Sequence, residues 1–427
     1  MNYYSLHHKS PKSTFKNAVI NGIAPDRGLY FPESITPLPE EFIKNLDQYS
    51  DHEIAFETIK QFVGDEIPKK ELKEIIAETV SFDFPVASVD KNIGTLELFH
   101  GPTMAFKDVG AKFMAKCLEY FNQDNHEEVT VLVATSGDTG GAVANGFLGT
   151  KGVNVVILYP SGKVSDIQEK QLTTLGKNIK ALEVDGVFDD CQEMVKTAFL
   201  DKEITKTLTS ANSINVARWL PQMFYFFFAY KQLYKQHNDI VFSVPSGNFG
   251  NICAGIVAQK LGLPVKHFVA ATNVNNTVPK YMEDGTYNPK PSIATISNAM
   301  DVGNPSNFIR IQELFNNEFE SLKSQFSSYS FSDEATRKIM KAIYENTGYV
   351  ADPHGAIGYL GLQKYGLQDG EYGVFLETAH PVKFLDVVED TLPVKVAIPK
   401  QIQKVMDKEK EAQQITSYQE LKLFLME

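Results

Sequence analysis

Lys107 lies where an apolar loop meets the start of a predicted helix, in the stretch FHGPTMAFKDVGAKFM of residues 99–114. On a helical wheel it lies at the edge of an apolar arc, whereas Lys112 and Lys116 fall on the opposite, solvated side. The positive end of a helix dipole and desolvation both lower the pKa of an ammonium in this position. Such a lysine can form a Schiff base with a carbonyl compound. The alternative is an ordinary lysine that reaches water or pairs with Asp108.

Two glycine-rich turns repeat the pattern Ser-Gly-[Asp/Asn]-x-Gly, as SGDTG at 136–140 and SGNFG at 246–250. Each follows an apolar segment that we predict to be a strand and opens an apolar segment that we predict to be a helix. Glycines at a strand–turn–helix junction leave backbone N–H groups free and let an anion approach them. The alternative is that glycine and serine only cap these helices. Neither turn has a GK[ST] ending or GxGxxG spacing, which argues against ATP and NAD as ligands.

A Schiff-base lysine and a separate phosphate cradle are together what pyridoxal phosphate requires of a protein. The lysine and the two turns therefore predict that one turn binds the phosphate of this cofactor and the other binds a substrate anion. No HExxH or comparable ligand spacing predicts a metal site.

The elements that must position these residues follow an α/β pattern. From about residue 95, apolar strand patterns alternate with amphipathic helix patterns, and the alternation resumes from DIVFSVPSGNFG to GVFLETAHPVKF. In parallel sheets of this kind, ligands bind beyond the carboxyl ends of the strands. We therefore expect two α/β layers with a cleft between them. We expect the tail from about residue 398 to be helical and charged and to pack on the outside.

The composition of the 427-residue chain is that of a globular protein with two or three domains. Its net charge of -12 and the lack of a long Lys/Arg block argue against nucleic-acid binding. The three cysteines lie far apart, which predicts buried thiols in a reducing compartment. The longest apolar run, MFYFFFAY at 223–230, is too short to span a membrane, and the first residues lack a signal-peptide pattern. We therefore expect a cytoplasmic protein.

Motifs along nearly the whole chain resemble those of the threonine synthase family, in its bacterial and fungal branch, within the fold-type II pyridoxal-phosphate enzymes. The matching segments are SPKSTFKNAVINGIAPDRGLYFP, GPTMAFKDVGAKFM, ATSGDTGGAVANGF, NSINVARWLPQ, VPSGNFGN, DVGNPSNFIR and ETAHPVKF. The resemblance implies an α/β fold with two domains of parallel-rich sheets flanked by helices. The expected regions are a small mixed α+β domain at 1–93, a smaller α/β domain with Lys107 and SGDTG at 94–205, and a larger one with SGNFG and the C-terminal helices at 206–427.

The resemblance assigns the cofactor contacts to three places. Lys107 would hold pyridoxal phosphate as a Schiff base and then move protons, and the backbone of Gly247, Asn248, Phe249 and Gly250 would bind the cofactor phosphate.

Thr378 would offer its hydroxyl to the pyridine nitrogen, and a neutral partner leaves that nitrogen largely unprotonated. The alternative for Thr378 is a threonine that merely ends an apolar strand. We expect His354 and His380 to shape their turns rather than to titrate in catalysis.

On the substrate side, the resemblance places Ser136, Gly137, Asp138 and Thr139 against the substrate. Many fold-type II relatives carry an asparagine at the position of Asp138, which leaves its role open. Arg218 could grip the substrate phosphate with its planar guanidinium, or it could form a structural ion pair. Further candidates for substrate contact are Lys163, Asn304, Ser306 and Asn307.

The implied activity converts O-phospho-L-homoserine and water into L-threonine and phosphate by γ-elimination and β-addition of water, the last step of threonine biosynthesis. The implied enzyme is a pyridoxal-phosphate-dependent carbon–oxygen lyase acting on phosphate, a monomer or homodimer with a small-molecule substrate. Three alternatives stay open. A dehydratase acting on serine or threonine would need Lys107 and the SGNFG turn but no second phosphate site. A non-catalytic pyridoxal-phosphate carrier would keep its effect without Lys107, and a related phospholyase is the third possibility.

Overall fold

The computed structural model describes residues 1–123 and 128–427. Strands and helices alternate from about residue 93 onward, as the sequence predicts. The strands are β1 Asn2–Ser5, β2 Ser13–Thr14, β3 Tyr30–Pro32, β4 Val86–Asp90, β5 Ile93–Glu97, β6 Val129–Ala134, β7 Val153–Pro160, β8 Ile179–Val184, β9 Thr207–Ser210, β10 Asp239–Pro245, β11 Val265–Thr272, β12 Phe326–Ser330, β13 Glu371–Glu377 and β14 Gln413–Ile415.

The α-helices lie between and around these strands. They are α1 Phe15–Asn21, α2 Glu40–Lys44, α3 Asp51–Val63, α4 Lys69–Thr79, α5 Lys107–Phe121, α6 Asp138–Phe147, α7 Asp166–Thr173, α8 Phe188–Leu200, α9 Val216–Trp219, α10 Phe224–Leu233, α11 Gly250–Lys260, α12 Thr277–Asp284, α13 Phe308–Leu314, α14 Phe319–Gln325, α15 Asp333–Thr347, α16 Pro353–Tyr365, α17 Leu385–Thr391, α18 Lys400–Met406 and α19 Tyr418–Met426. Short 3₁₀ turns add Leu46–Gln48, Gly64–Glu66, Leu220–Met223, Asn298–Met300 and Pro381–Phe384.

The larger sheet has the strand order β12-β11-β10-β13-β5-β4, and all its pairs are parallel except β4 with β5. Its strands are apolar on both sides because helices cover both faces. Phe242 and Val374 belong to one buried cluster, whereas Val241 and Phe375, their neighbours along the strands, belong to another. The carboxyl ends of β5, β10 and β13 therefore lie together at one edge of a fully covered sheet.

The second sheet is parallel throughout, with the order β14-β8-β7-β6-β9. Val131 and Ile157 face one cluster, and Leu132 and Val156 face another, so this sheet is also covered on both sides. The SGDTG turn follows β6 in this sheet, whereas SGNFG follows β10 in the larger one.

The expectation of a wholly helical tail is wrong in one place, because β14 pairs with β8 between the helices α18 and α19. Ile415 of β14 is buried in the same cluster as Leu182 and Val184 of β8. A strand of three residues is too short to show the alternation of apolar and polar residues that is typical of strands. Its apolar residue, Ile415, therefore also fits the helix pattern predicted for the tail.

The strand in GTLELFH was grouped with the strands of residues 94–205, but β5 pairs with β13 in the larger sheet instead. Its residues Gly94 and Leu96 lie opposite Val374 and Leu376. The order of strands along the chain does not state which sheet each strand joins, and here the neighbour of β5 comes from near the other end of the chain.

The N-terminal region forms a three-stranded sheet of the order β2-β1-β3 together with helices α1 to α4. The Tyr3 hydroxyl donates to the Phe62 carbonyl at 2.8 Å, and the Phe15 ring packs edge-on against Phe121 of α5 at 6.1 Å. Helix α4 also packs on α5. The region therefore supports the outer side of the helix that begins at Lys107.

No helix in the described residues is long and apolar enough to cross a membrane. The three cysteines, all within the described part of the chain, are buried and unpaired, which confirms the prediction of buried thiols.

Candidate active site

The larger sheet brings three predicted site segments to one edge. The loop that ends at Lys107 follows β5, the SGNFG turn follows β10, and Thr378 follows β13. These three strands are neighbours and parallel, in the order β10-β13-β5. Because the carboxyl ends of parallel strands meet at the same edge, the lysine, the glycine-rich turn and the threonine lie around one crevice.

A short antiparallel contact fixes the position of Lys107 relative to Thr378. The Phe106 N–H donates to the Thr378 carbonyl at 2.8 Å, and the His380 N–H donates to the Met104 carbonyl at 3.0 Å. The residue before the lysine is therefore bonded to the main chain of the threonine that was predicted to face the cofactor ring.

Lys107 is the first residue of α5, and no side chain caps this helix start. The residue retains some exposed surface, and its Nζ lies 5.4 Å from the centre of the Phe106 ring. Burial is the main cause that lowers the pKa of the Lys107 ammonium; the positive charges of Lys383 and Arg218 lower it further, and Asp138 acts in the opposite direction. The pKa shift predicted from the sequence therefore has the correct sign.

Asp108, the alternative partner for Lys107, is engaged by the loop instead. Its carboxylate accepts a hydrogen bond from the Thr103 N–H at 2.9 Å and another from the Thr103 hydroxyl. Burial raises the pKa of Asp108 to about 6, although the bonds from Thr103 oppose this change. The two bonds close the loop of residues 103–108 and hold the start of α5 in place.

The SGNFG turn presents a row of free amides. Within residues 1–123 and 128–427, the N–H groups of Gly247, Asn248, Phe249 and Gly250 have no hydrogen-bond acceptor. Phe249 adopts a left-handed conformation, with φ of 61°, immediately before the 11-residue helix α11. A Cβ on Gly247 would come within 2.8 Å of the Met300 Cα, so no larger residue fits. Free amides at the start of a helix form an anion site.

The side of Asn248 away from these amides is held by neighbouring polar groups. Its Oδ1 accepts from the Ser306 N–H at 2.6 Å, and its Nδ2 donates to the Ser213 hydroxyl at 2.7 Å. Asn307 Nδ2 donates to the Asn248 carbonyl at 3.0 Å. Ser306 and Asn307, predicted as candidates for substrate contact, therefore support the turn.

Arg310 is a buried residue that sequence reasoning missed. Its guanidinium donates to the Asn307 Oδ1 at 2.5 Å, to the Ile214 carbonyl at 2.6 Å and to the Tyr30 carbonyl at 3.0 Å, and it stacks 4.7 Å from the Trp219 ring. Burial lowers its pKa to about 9. The available signal was a single arginine within the apolar segment NFIRI.

The SGDTG turn is built differently from the SGNFG turn. The Thr135 Oγ1 accepts from the Gly137 N–H at 3.0 Å and from the Gly140 N–H at 2.8 Å. Two of its amides are thus occupied within the protein. The Ser136, Asp138 and Thr139 N–H groups have no acceptor in the described part of the chain. This turn can contribute to binding an anion but offers fewer amides than its counterpart.

The side chains of the SGDTG turn point in different directions. Ser136 and Thr139 remain partly exposed, whereas Asp138 is buried. The two residues therefore have partly accessible surface, and the Asp138 carboxylate is engaged inside the protein.

A buried ion pair joins the two sheets beside Lys107. The Lys383 Nζ lies 2.7 Å from the Asp138 Oδ1 and donates to the Thr103 carbonyl at 3.0 Å. The Gln168 Nε2 donates to the same Asp138 oxygen at 3.0 Å. Burial alone would raise the pKa of Asp138, but the charges of Lys383 and Lys107 hold it well below the usual value. The sequence analysis assigns no role to Lys383 of the motif ETAHPVKF, although a lysine in so apolar a turn is a signal.

Arg218 is only 2% exposed, and its Nε and Nη1 have no hydrogen-bond partner among the described residues. Burial lowers its pKa to about 10. Its carbonyl packs on α5, where a Cβ on Gly110 would lie 2.3 Å from it. Neither Nε nor Nη1 forms the structural ion pair that was the alternative for Arg218, within the described part of the chain. A buried guanidinium with free N–H groups can bind an anion by donating hydrogen bonds to it.

The two histidines contact protein groups in their turns. The His380 Nδ1 accepts from the Val382 N–H at 3.0 Å, and burial lowers its pKa to about 4, so it is neutral near pH 7. The His354 Nδ1 lies 3.2 Å from the Asp352 Oδ2. His380 caps a short helical segment, and His354 lies in the first turn of α16 beside Asp352, which caps that helix.

Three family profiles match the chain. The profile of pyridoxal-phosphate dependent enzymes matches residues 94–376, that of the threonine synthase N terminus matches residues 2–80, and that of the threonine synthase C-terminal region matches residues 355–424. The threonine synthase of Buchnera aphidicola subsp. Acyrthosiphon pisum is 44% identical over 436 residues, covering 100% of both chains.

Solved structures agree with these matches. The crystal structure of threonine synthase from Escherichia coli superimposes with a TM-score of 0.94 at 43% identity, covering 100% of this chain and 99% of that one. The structure of threonine synthase from Brucella melitensis with bound pyridoxal phosphate gives a TM-score of 0.94 at 32% identity, with coverage of 100% and 99%.

Proposed function

The chain belongs to the threonine synthase family, and we propose that Lys107 attaches its pyridoxal phosphate and moves protons on the substrate. The enzyme has the α/β architecture of fold type II, is a lyase, and forms L-threonine from O-phospho-L-homoserine and water, with release of phosphate. One observation carries the proposal for Lys107. A single sheet edge gathers this lysine, a row of free amides and the Thr378 main chain.

The residues at this edge fit pyridoxal phosphate. Its phosphate can accept hydrogen bonds from the free N–H groups of Gly247, Asn248, Phe249 and Gly250. Lys107 would hold the cofactor through its amine in the neutral form, and burial favours that form by lowering the pKa of the Lys107 ammonium.

We assign the Thr378 hydroxyl as the hydrogen-bond partner of the nitrogen in the cofactor ring. When bound, pyridoxal phosphate supplies the sink for the electron pair left by removal of the substrate α-proton. Thr378 carries no charge, so it does not hold a proton on the ring nitrogen.

The role of Lys107 in the reaction is to move protons with Nζ. Nζ removes the proton from the α-carbon of O-phospho-L-homoserine. Loss of a proton from the β-carbon accompanies departure of the γ-phosphate, and after protons return to the carbon chain, water adds at the β-carbon. A lysine of lowered pKa can accept and return protons near neutral pH, which suits these repeated transfers. One water is consumed and one phosphate is released per threonine.

We assign the substrate phosphate to Arg218. Its unpartnered Nε and Nη1 support this assignment, because a phosphate would accept hydrogen bonds from a guanidinium with free N–H groups and neutralise a buried cation. Ser136 and Thr139 add two partly exposed hydroxyls, and the free amides of the SGDTG turn add three donors. A dehydratase of serine or threonine has no substrate phosphate to bind, so this second anion site distinguishes the enzyme from such a dehydratase.

The test of the function measures inorganic phosphate and L-threonine together after the purified protein is given O-phospho-L-homoserine. We expect equal amounts of both products, and we expect Lys107→Ala to lower turnover at least about a thousandfold. Lys112→Ala is the matched control, since Lys112 lies on the same helix and pairs with Glu78 at 3.6 Å on the outer face. Phosphate without threonine would indicate a phospholyase, and turnover of serine alone would indicate a dehydratase.

We also propose an organisation for the molecule in solution. The mixed, smaller and larger domains correspond to regions 1–93, 94–205 and 206–427. Two strands cross these bounds: β5 of the second region joins the larger sheet, and β14 of the third region joins the smaller sheet. The protein acts on a small molecule, does not bind nucleic acid, and works in the cytoplasm as a monomer or homodimer. Three buried unpaired cysteines are consistent with a reducing compartment.

A further inference from the structure

The ion pair between Lys383 and Asp138 is closed on all sides by protein groups. The two side chains are 0% and 3% exposed, and their charged atoms are 2.7 Å apart. Lys383 also donates to the Thr103 carbonyl, and Asp138 also accepts from Gln168. A buried pair of this kind is stable only while both partners remain, because removal of one leaves an uncompensated charge.

This ion pair lies close enough to Lys107 for its charges to affect the protonation of the Lys107 amine. Thr103, the second partner of Lys383, belongs to the loop that ends at Lys107, and Asp138 opens the helix α6 that packs on α5. The two charges act on the Lys107 Nζ with opposite signs, Asp138 favouring the ammonium and Lys383 the neutral amine.

The other charges near Lys107 do not replace this pair. Asp108 on the same helix is bonded to Thr103, and Arg218 from α9 adds a positive charge. From α4, Glu78 contacts Lys116 at 2.8 Å and Lys112 at 3.6 Å on the outer face of α5. Among the described residues, Asp138 is therefore the anion best placed to pair with the Lys107 ammonium.

We propose that Lys383 is a positioning residue that holds the Asp138 carboxylate in a closed ion pair and so prevents it from pairing with Lys107. The inference rests on the proposed role of Lys107, whose amine must be neutral to react. Without Lys383, the buried carboxylate would be left with Lys107 as its nearest cation, and that contact would retain the proton on Nζ.

The proposal predicts opposite effects from removing the two partners. Lys383→Met frees the carboxylate, so a larger fraction of Lys107 is protonated at a given pH. Asp138→Asn removes the anion that stabilises the ammonium, so a smaller fraction is protonated. A merely structural role would loosen the site in both variants and would move both in the same direction.

The test measures the reactivity of the Lys107 amine in the full chain after removal of the cofactor with hydroxylamine. The protein is acylated briefly with acetic anhydride from pH 6 to pH 10, and the modification of the Lys107 peptide is measured by mass spectrometry. We expect the Lys383→Met midpoint to move to higher pH, with acylation at pH 8 about fivefold slower, and the Asp138→Asn midpoint to move to lower pH.

Two control variants separate charge from general damage. Lys383→Arg keeps the positive charge and is expected to stay close to the wild-type profile. Lys422→Met removes a lysine that pairs with Asp201 at 2.8 Å and with Glu203 at 2.6 Å, elsewhere in the molecule, and is expected to leave the profile unchanged.

An unchanged Lys107 profile in Lys383→Met, or shifts of both variants in the same direction, would overturn the proposal. If Lys383→Met does not fold, Asp138→Asn decides by itself, and a profile equal to that of the wild type contradicts the proposal. The readout needs no turnover. Attachment of the cofactor to another lysine would refute the proposed function without affecting this result.

Discussion

Single residues differ here in whether their buried polar groups already have partners. Arg218 and Arg310 are both buried arginines from segments that the sequence marked as motifs. Arg310 bonds to four protein oxygens through its terminal nitrogens and only its Nε lacks a partner, whereas both Nε and Nη1 of Arg218 have no partner among the described residues. The first therefore stabilises the fold, and the second is available to a ligand. The sequence cannot make this distinction, because both residues present the same chemistry in an apolar segment.

These two arginines make a matched pair of variants. We expect Arg218→Gln to raise the KM for O-phospho-L-homoserine about a hundredfold, since the substrate phosphate loses a buried cationic partner. Its free energy of unfolding should change by less than about 1 kcal/mol, because removal of an unpaired buried charge relieves desolvation. We expect Arg310→Gln to lower the free energy of unfolding by about 3 kcal/mol.

Steady-state kinetics and urea unfolding of both variants check this prediction. A large loss of stability in Arg218→Gln, with KM unchanged, would show that Arg218 serves the fold and not the substrate.

At the scale of elements, the two strand–turn–helix units look equivalent in sequence and differ in structure. Both turns follow a strand and open a helix, as the pattern Ser-Gly-[Asp/Asn]-x-Gly predicts. The difference comes from the residue before each turn. Thr135 precedes SGDTG and takes up two of its amides, whereas Pro245 precedes SGNFG and has no hydroxyl to do so. Which turn keeps its amides free depends on one side-chain rotamer, which periodicity does not reveal.

Thr135→Val tests this difference. The substitution keeps the shape of the side chain but removes the acceptor of two buried N–H groups, so we expect a loss of about 2 kcal/mol in the free energy of unfolding. The SGDTG turn should also lose its geometry, which raises the KM for the substrate while cofactor content stays at the wild-type level.

Thr130→Val in β6 is the control, because Thr130 is a buried threonine of the adjacent strand, and its loss should cost less than about 1 kcal/mol. Chemical denaturation and the cofactor absorbance report the two effects. Loss of cofactor in Thr135→Val, with KM retained, would assign the SGDTG turn to the cofactor instead.

At the scale of the whole molecule, local patterns predicted the alternation of strands and helices but not the assembly of the sheets. The motifs around Lys107, SGNFG and ETAHP each have a local pattern, yet only the pairing of β5 with β13 brings them together. This pairing joins segments that are far apart in the chain, and no periodicity encodes it. The same reason explains why β14 was not foreseen and why the Lys383–Asp138 pair, which joins the two sheets, had no signal beyond a lysine in an apolar turn.

The lysine that carries the cofactor can be identified chemically in the purified enzyme. The purified enzyme is scanned for visible absorbance, reduced with borohydride, digested, and mapped by mass spectrometry. We predict a visible band that disappears on reduction and a pyridoxyl label on the peptide containing Lys107. A label on another lysine, or a protein that gains no band when pyridoxal phosphate is supplied, would contradict the account.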